Sequence, residues 1–371
     1  MGLSMSSFLA VVSRGALLLL AALLAACQAQ PPAEGATPAP PTASAQMLAF
    51  AAAYPWDAAL QCGAGAPASC LLAVIEHETD KVALHQVDGR TIRRLAEYPV
   101  ATHPDGVAWL APGLFVAAVE MSYGLDFFRW DGTRLARIAQ VAVGFTPREV
   151  TVLSAAQGRY RLLATPYDGD KVALVEWGEG EAPRVTPMNL CREPWHPVLA
   201  NQVAGVTGPA VVVACRRDKQ VVAIPADMSA APVVLARFND APRRAVLSNE
   251  GRWLYVALEL GGRNARIDLF SGALQWLASS PQGSYTAAML APDMVVWGQS
   301  QRLLLQRLDE TGRVLESRVL PVPGFIANVL LHDFDGDGEL DAVVLAESSF
   351  ESHIVYGPLW PVATPLSLGT D

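Results

Sequence analysis

The strongest constraint on the fold is a unit of short apolar runs that recurs along most of the chain. Seven X-Pro steps mark the starts of the units, at intervals of 39 to 50 residues; the prolines are Pro55, Pro104, Pro147, Pro197, Pro242, Pro281 and Pro323. Proline lacks an amide hydrogen and has a fixed φ, so it is expected in the loop before a strand. Repeats of this length are typical of folds that stack one small structural unit many times.

Each unit contains four runs with the composition of a strand. The second runs are the most apolar, and they begin at Leu71, Leu114, Tyr160, Ala210, Trp253, Met294 and Asp341. The fourth runs are weaker and more polar, which suits an outer edge strand. Seven units of four short strands predict an all-β fold, a seven-bladed β-propeller with four-stranded antiparallel blades over residues 47–371.

The strand that closes the ring is ambiguous in the sequence. Residues 47–53, MLAFAAA, occupy the position of a fourth strand before the first unit and could complete blade seven. The tail after Trp360 competes for that role. The sequence does not separate the two possibilities.

The start of the chain predicts a targeting segment. Arg14 precedes an apolar run from Gly15 to Leu24, which is too short to span a membrane but suits the core of a signal peptide. The run ends in Leu-Ala-Ala-Cys27, which resembles the bacterial lipobox, where the signal peptide is cut before a cysteine that carries diacylglycerol. This resemblance implies a signal peptide over residues 1–26 and lipidation of Cys27. An ordinary secretory signal with an incidental cysteine is the alternative.

A flexible tether is predicted to follow the lipid. Residues 27–46 are rich in Pro, Ala and Thr and show no apolar periodicity, so they cannot bury enough surface to fold. We therefore expect a monomeric cell-envelope protein, held at the membrane by its lipid on the periplasmic or extracellular face. In a host with two membranes we expect the outer one.

The charge of the chain argues against a nucleic-acid partner. The net charge is −9, and no cluster of basic residues is present that could release counterions from a phosphate backbone. No second apolar stretch of about 18 residues predicts a membrane span.

The remaining cysteines predict two disulfides, because an oxidising compartment favours pairing. Cys62 and Cys70 flank one hairpin loop of the first unit. Cys191 lies in the loop that enters blade four, and Cys215 ends the second strand of that blade. In a propeller these last two positions share a face, so the repeat predicts the pairs Cys62–Cys70 and Cys191–Cys215.

The most specific chemical motif is DFDGDGELD, from Asp333 to Asp341. Carboxylates at alternate positions of a tight loop converge on one point, and hard oxygen ligands at that density suit Ca²⁺. The predicted ligands are the side chains of Asp333, Asp335, Asp337 and Asp341 and the carbonyl of Glu339. An EF-hand is not expected, because its twelfth position is Val344 here. An acidic turn without a metal is the alternative.

The acidic loop resembles that of FG-GAP/VCBS repeats, which occur in integrin-type and bacterial propellers. In those repeats the loop joins the first and second strands of a blade, and here it lies between FIANVLLH and DAVVLAE. The resemblance covers blade seven and implies a structural Ca²⁺. The other six units look more like YVTN-type bacterial propellers, as in SNEGRWLYVALE from Ser248.

One face of the propeller is predicted to collect polar and aromatic side chains. The loops that enter the first strands and the loops between second and third strands should open on this face. The candidate ligand-face residues are His103, Arg148, Trp195, His196 and Arg243. The two histidines open different blades, so a metal shared with a rim glutamate is conceivable; an ordinary polar rim is the alternative.

No known catalytic motif is present in the sequence. The strings G-x-S-x-G, H-E-x-x-H and G-x-G-x-x-G and the P-loop are all missing. We expect first a non-catalytic binding or scaffold propeller that contacts an envelope protein or a glycan. A hydrolase or lactonase with a metal in the central funnel is the second possibility, and a quinone-type dehydrogenase is the third.

Overall fold

The chain folds into a ring of antiparallel blades in a computed structural model that describes residues 46–63, 69–279, 281–362 and 364–366. The chain enters the ring through β1 (Met47–Ala51). Blade one contains β2 (Pro55–Cys62), β3 (Cys70–Glu76), β4 (Lys81–Asp88) and β5 (Thr91–Pro99). Blade two contains β6 (Pro104–Ala111), β7 (Leu114–Val119), β8 (Gly124–Trp130) and β9 (Leu135–Ala142).

The next three blades repeat the same order of four strands. Blade three contains β10 (Pro147–Ala156), β11 (Arg159–Pro166), β12 (Lys171–Gly178) and β13 (Arg184–Asn189). Blade four contains β14 (Pro194–Ala200), β15 (Ala210–Cys215), β16 (Gln220–Pro225) and β17 (Val233–Arg237). Blade five contains β18 (Pro242–Leu247), β19 (Trp253–Leu258), β20 (Arg263–Asp268) and β21 (Leu274–Ala278).

Blades six and seven share long strands that change partner along their length. Blade six consists of β22 (Thr286–Ala291), β23 (Met294–Leu308) and the first part of β24 (Val314–His332). The start of β23 pairs with β22, and its end pairs with β24, so β23 supplies two strands of the blade. Blade seven consists of the last part of β24, then β25 (Asp341–Ala346), β26 (Glu351–Val355) and β1. The seven-bladed fold is thus confirmed.

The N-terminal strand closes the ring, which answers the question that the sequence left open. β1 pairs antiparallel with β26, so that Met47 lies opposite Val355 and Ala51 opposite Glu351. The tail instead forms β27 (Thr364–Leu366), which pairs with β24 on the outer edge of blade six. A single helical turn, α1 (Leu359–Val362), precedes β27.

The core is divided among the interfaces between blades. Buried apolar side chains of the described residues form seven clusters, one between each pair of neighbouring blades. Between blades two and three, for example, Phe127 stacks on Trp177 with ring centroids 4.1 Å apart. Between blades seven and one, Phe50 of β1 packs with Leu72 of β3. Apolar packing at every interface is what a closed ring requires.

Most first strands begin with a β-bulge beside the central channel. The shifts in pairing register fall at the start of β2, β6, β10, β14, β18 and the blade-seven part of β24. A bulge inserts an extra residue and redirects the side chains around it. As a result, consecutive residues such as Arg243 and Arg244 point to different levels of the channel, and this arrangement builds the site described below.

The repeated prolines lie at or near the starts of these first strands. Four of the seven, Pro55, Pro104, Pro147 and Pro242, are the first residues of strands. Pro197 lies within β14, at the bulge between Trp195 and Val198, a position where a strand tolerates the missing N–H. Pro281 precedes β22 by several residues, and Pro323 lies where β24 passes from blade six to blade seven.

Both predicted disulfides are present in the structure. Cys62 and Cys70 are bonded with their Cα atoms 4.0 Å apart, and Cys191 and Cys215 with theirs 5.8 Å apart. Within the described ranges, no helix is long and apolar enough to cross a membrane. The signal peptide, Cys27 and nearly all of the tether lie outside the described residues.

Candidate functional site

A buried ion cluster closes the central channel. Arg244 of blade five places Nη1 3.1 Å from Oδ1 of Asp57 in blade one and Nη2 3.8 Å from Oε1 of Glu149 in blade three. Asn328 of blade seven donates to the same Asp57 oxygen at 2.8 Å. The backbone N–H of His196 in blade four donates to Glu149. We call these five residues the channel plug.

The plug separates two cavities. On one side lies a cavity of about 420 Å³, lined by plug residues and by apolar side chains of the first strands. On the other side lies the funnel, the face onto which the loops that precede the first strands open. Because Arg244 is opposed by two carboxylates, its buried charge is compensated.

Two arginines directly above the plug are enclosed by aromatic rings. Arg148 lies over the ring of Trp195, with its guanidinium carbon 4.0 Å from the ring centroid, and it also contacts Trp56 and Tyr167 at 4.7 and 4.8 Å. Arg243 lies 5.2 Å from Trp195. Cation–π contacts of this kind orient a guanidinium without satisfying its N–H groups.

The two arginines differ in their anionic partners. Arg243 lies 3.3 Å from a carboxylate oxygen of Glu347 and 3.7 Å from one of Glu259. Arg148 is only 5% exposed, yet no hydrogen bond or ion pair joins its guanidinium to any other described residue. Glu347 and Glu120 act on Arg148 electrostatically without pairing with it directly, so its guanidinium is the group of this face that can still take an anionic ligand in direct contact.

A histidine and a buried carboxylate form the opposite wall. Nδ1 of His77 lies 3.2 Å from Oδ1 of Asp105 and 3.1 Å from the carbonyl oxygen of Pro104. The carbonyl oxygen can only accept, so Nδ1 carries the proton. Nε2 lies 3.9 Å from a carboxylate oxygen of Glu78. Burial lowers the pKa of His77, but the contact with Asp105 outweighs this effect, and the net shift is upward.

Two buried carboxyl groups, Asp105 and Glu120, interact in this wall. Asp105 is fully buried and Glu120 is 6% exposed, and buried oxygens of both have no hydrogen-bond donor when both groups are ionised. Burial and the neighbouring Asp105 raise the pKa of Glu120 to about 8. A single proton on Glu120 therefore supplies the missing donor at neutral pH.

These groups border one cavity of about 320 Å³. Its walls include Arg148 on one side, His77 and Asp105 on the other, and the rings of Trp56 and Tyr167 between them. The carboxylates of Glu78 and Glu347 also border the cavity. The cavity thus offers an anion-binding group, a hydrogen-bond acceptor and aromatic faces at close range. A few polar groups converging in a partly apolar pocket are typical of a small-molecule site.

The structure brings together three of the five predicted ligand-face residues. Arg148, Trp195 and Arg243 lie side by side in the funnel. His103 is at the rim, stacked on His77 with centroids 4.6 Å apart and with Nδ1 3.5 Å from Glu120. His196 instead lies in the plug, where burial and the charge of Arg244 lower its pKa to about 4.

The two histidines are therefore not joined in a shared site. Each has different neighbours, Glu120 for His103 and Glu149 for His196. In the part of the chain that the structure describes, the groups of three or more potential metal ligands include none in the funnel.

Sequence reasoning missed several residues that shape the site. The sequence pattern does not single out the cluster of His77, Asp105 and Glu120, and it does not predict the pairing of Asp57 with Arg244. A signal was available: charged residues follow the unit-opening proline in four units, as in Trp56-Asp57, Asp105, Arg148-Glu149 and Arg243-Arg244. Charged residues that repeat at the start of an inner strand indicate a polar channel.

The acidic loop joins β24 to β25, the first and second strands of blade seven. Carboxylate oxygens of Asp333, Asp335 and Asp341 lie within 4.8 Å of one another, which fits a hard divalent cation. Asp333 also accepts the N–H groups of Gly336 and Gly338 at 2.7 and 3.0 Å.

The side chain of Asp337 is not part of this group, and the carbonyl of Glu339 stays a prediction. Asp337 accepts the N–H of Glu339 at 2.8 Å, and both residues are exposed. Asp341 is fully buried and accepts the N–H groups of Phe334 and Gly357. Burial raises its pKa, and Asp335 and Asp337 add to the shift.

Comparison with known proteins identifies the fold but no family. No protein-family model matches the chain, and no curated protein matches it. The WD40 β-propeller domain of Doa1 is a similar solved structure, with a TM-score of 0.62 at 13% identity over 85% of this chain and 97% of that one.

Two propellers described as enzymes are also similar in structure. Virginiamycin B lyase from Staphylococcus aureus gives a TM-score of 0.60 at 9% identity, over 85% of this chain and 100% of that one. A "putative 6-phosphogluconolactonase" from Bacteroides uniformis gives 0.56 at 12% identity, over 87% and 95%. At such low identity the likeness concerns the fold, which hosts scaffolds and enzymes alike.

Proposed function

We propose that this chain is a non-catalytic binding propeller of the cell envelope, and that its funnel binds an acidic sugar unit of a glycan. The observation that carries the proposal is Arg148, a largely buried guanidinium that forms no hydrogen bond or ion pair with any described residue and borders a cavity of about 320 Å³. A uronate carboxylate would pair with it in the bidentate geometry that arginine favours.

The rest of the cavity suits a polyhydroxylated ring. Trp56 and Tyr167 offer flat apolar faces, and Nε2 of His77 and the hydroxyl group of Ser348 offer hydrogen-bonding groups. Aromatic surface with a few fixed polar groups positions such a ring and selects its orientation.

A glycan fits this cavity better than a folded protein partner. A stable protein interface needs about 800 Å² per partner. The polar groups of the funnel converge inside a recess instead of spreading over a flat surface. An acidic side chain of a protein is the competing occupant, and the experiment below includes it.

Calorimetric titration with a galacturonate trisaccharide tests the proposal, with a neutral galactose trisaccharide as the comparison ligand. We expect the acidic sugar to bind and Arg148→Met to weaken its binding roughly tenfold to hundredfold, since a charge-assisted hydrogen bond contributes about 1.5–3 kcal/mol. Arg129→Met is the control, because Arg129 is exposed and pairs with the exposed Glu179.

Two results would count against an acidic glycan. Equal affinity for the neutral and acidic trisaccharides would mean that Arg148 does not recognise the carboxylate of the sugar. Tighter binding of a triglutamate peptide than of either sugar would favour a protein partner. Circular dichroism melts of both variants establish that each one is folded.

A hydrolase acting on an ester or lactone is the second candidate function. The pairing of Asp105 with Nδ1 of His77 favours it, because a buried carboxylate that orients an imidazole leaves Nε2 free to take a proton from water. A lactonase-like neighbour in structure is consistent with this possibility. Release of acid from sugar lactones that is lost in His77→Gln but kept in His103→Gln would support it over pure binding.

Two further proposals concern the attachment of the protein to the membrane and a bound metal ion. We propose a lipid on Cys27, which anchors the propeller to the envelope through the tether at residues 27–46. We also propose a structural Ca²⁺ held by Asp333, Asp335 and Asp341, where the cation would neutralise carboxylates that otherwise repel one another.

A further inference from the structure

The funnel cavity extends across four blades. Ser348 of its wall comes from blade seven, Trp56 from blade one, Asp105 from blade two and Tyr167 from blade three. Its volume of about 320 Å³ is at the lower end of the usual range for small-ligand sites, roughly 300–1,000 Å³. A ligand of several sugar units would therefore extend beyond the cavity.

The most exposed apolar side chains collect on the same face. Among the described residues, the six most exposed large apolar side chains have exposed fractions between 47% and 62%. Five of the six lie in turns between second and third strands, which open on the funnel face; they are Met121, Tyr123, Tyr167, Leu260 and Phe350. Exposed apolar side chains gathered on one face indicate a contact surface.

Aromatic rings lie at both ends of the cavity. At the blade-seven end, Tyr54 borders the cavity and packs against Phe350, with ring centroids 4.7 Å apart. Phe350 is 62% exposed and continues this aromatic surface beyond the cavity wall. At the blade-three end, Tyr167 borders the cavity and is 47% exposed. Each end thus offers an apolar surface on which a sugar ring would lie.

The charges around the cavity favour a single acidic unit. Arg148 is the one arginine or lysine among the residues that line it. The carboxylates of Glu78 and Glu347 border the same cavity, and their side chains are 55% and 28% exposed. A second uronate next to the first would approach these carboxylates, and like charges oppose binding. Neutral neighbouring units avoid this repulsion.

We propose that the funnel binds an internal segment of a polysaccharide in which one acidic sugar unit is flanked by neutral units. This inference rests on the proposed function, because the acidic unit is the one that pairs with Arg148. One neutral unit would lie on Tyr54 and Phe350, and the other on Tyr167. Because both ends carry an aromatic surface, the glycan chain would continue in both directions.

Calorimetric titration with three sugars tests the proposal. The ligands are methyl glucuronide, a trisaccharide of glucuronate between two N-acetylglucosamine units, and a trisaccharide of three glucuronate units. We expect the alternating trisaccharide to bind roughly tenfold more tightly than methyl glucuronide, and more tightly than the all-glucuronate trisaccharide. Phe350→Ala should weaken binding of the alternating trisaccharide roughly fivefold and leave binding of methyl glucuronide unchanged. Glu78→Gln should strengthen binding of the all-glucuronate trisaccharide.

Phe270→Ala is the matched control, because Phe270 is 45% exposed in the turn between β20 and β21, on the opposite face. It should bind all three sugars as the parent chain does. Equal affinity for methyl glucuronide and the alternating trisaccharide, or no effect of Phe350→Ala, would overturn the flanking units and leave the proposed function intact. Tighter binding of the all-glucuronate trisaccharide would overturn their neutrality. If none of the three sugars binds, the proposed function fails as well.

Discussion

Single residues in the funnel differ mainly in whether their charges have partners. Arg243 and Arg148 contact the same indole ring of Trp195, but Arg243 is held by Glu347 and Glu259 while Arg148 is not. The first arrangement is complete within the chain, so it serves to fix the shape of the funnel. The second is completed by a ligand, which is why Arg148 carries the proposed function.

The raised pKa of Glu120 predicts a dependence of stability on pH. The pKa of Glu120 is raised to about 8 in the folded protein, so the folded state holds a proton that the unfolded state releases at lower pH. This contribution to stability is fully present below the unfolded pKa and is lost as the pH rises through about 8. We expect the melting temperature to fall between pH 5 and pH 8.

Glu120→Gln should flatten this fall, because glutamine imitates the protonated carboxyl group. Glu181→Gln is the control, since the side chain of Glu181 is 52% exposed. Scanning calorimetry at several pH values measures both. If the melting temperature of Glu120→Gln depends on pH as that of the parent chain does, the proton is held by another group.

At the level of the strand, the bulge explains how one short segment serves two purposes. In blades one, three and five, Trp56, Arg148 and Arg243 face the funnel while the next residue of each strand joins the plug. A regular strand would alternate its side chains between the two faces of the blade. The bulge instead directs two consecutive residues toward the channel axis at different depths.

The acidic loop gives a prediction that belongs to one hairpin. If Ca²⁺ binds the folded loop alone, it should raise the melting temperature, with a stabilisation of about 2.7 kcal/mol at a concentration 100 times Kd. Mg²⁺ should do so poorly, because it requires a tighter octahedral shell. Asp335→Ala should abolish most of the calcium-dependent shift in calorimetry with and without EGTA.

Arg90 provides the matched control for this loop. Its Nε lies 2.7 Å from Oδ2 of Asp335, so Asp335→Ala removes an ion pair as well as a metal ligand. Arg90→Met removes this ion pair, together with the contacts of Arg90 to Gln46 and Tyr356, but no metal ligand, so it should keep the calcium shift. If Ca²⁺ does not shift the melting temperature of the parent chain, the proposed calcium site is wrong.

Much of the strand order could be predicted from sequence, but the site could be predicted only in part. Repeated X-Pro steps and apolar runs are local signals, and they located the blades. The pairing of β1 with β26 depends on residues about 300 positions apart, and both ends of the chain carried the same strand-like pattern. His196 was placed with the ligand face because its loop position was right, whereas the bulge at Trp195 directs it into the plug.

On the scale of the whole molecule, the channel plug connects blades that are distant along the chain. Arg244→Met would leave Asp57 and Glu149 as buried carboxylates without a cation, so we expect a loss of about 3–5 kcal/mol in the free energy of unfolding. Urea denaturation measures the loss, and adding Asp57→Asn should restore part of it. A loss below about 1 kcal/mol would mean that the ion pairs of Arg244 contribute little to the free energy of unfolding.

The proposed lipid anchor also concerns the whole molecule. Mass spectrometry of protein extracted from membranes should find a diacylglyceryl group on Cys27. Cys27→Ala should release the protein from the membrane fraction, because the acyl chains supply the binding energy, about 0.8 kcal/mol for each buried CH₂. Equal membrane association of the variant would contradict the lipid anchor.

The pairing of β1 with β26 also sets an order of events during folding. β1 is the first described strand to leave the ribosome, whereas β26 is among the last. Until the final blade arrives, the apolar segment MLAFA has no partner, and blade one has no neighbour on one side. Ring closure therefore waits for nearly the whole chain, which slows folding and leaves an open strand edge in any chain that is cut short.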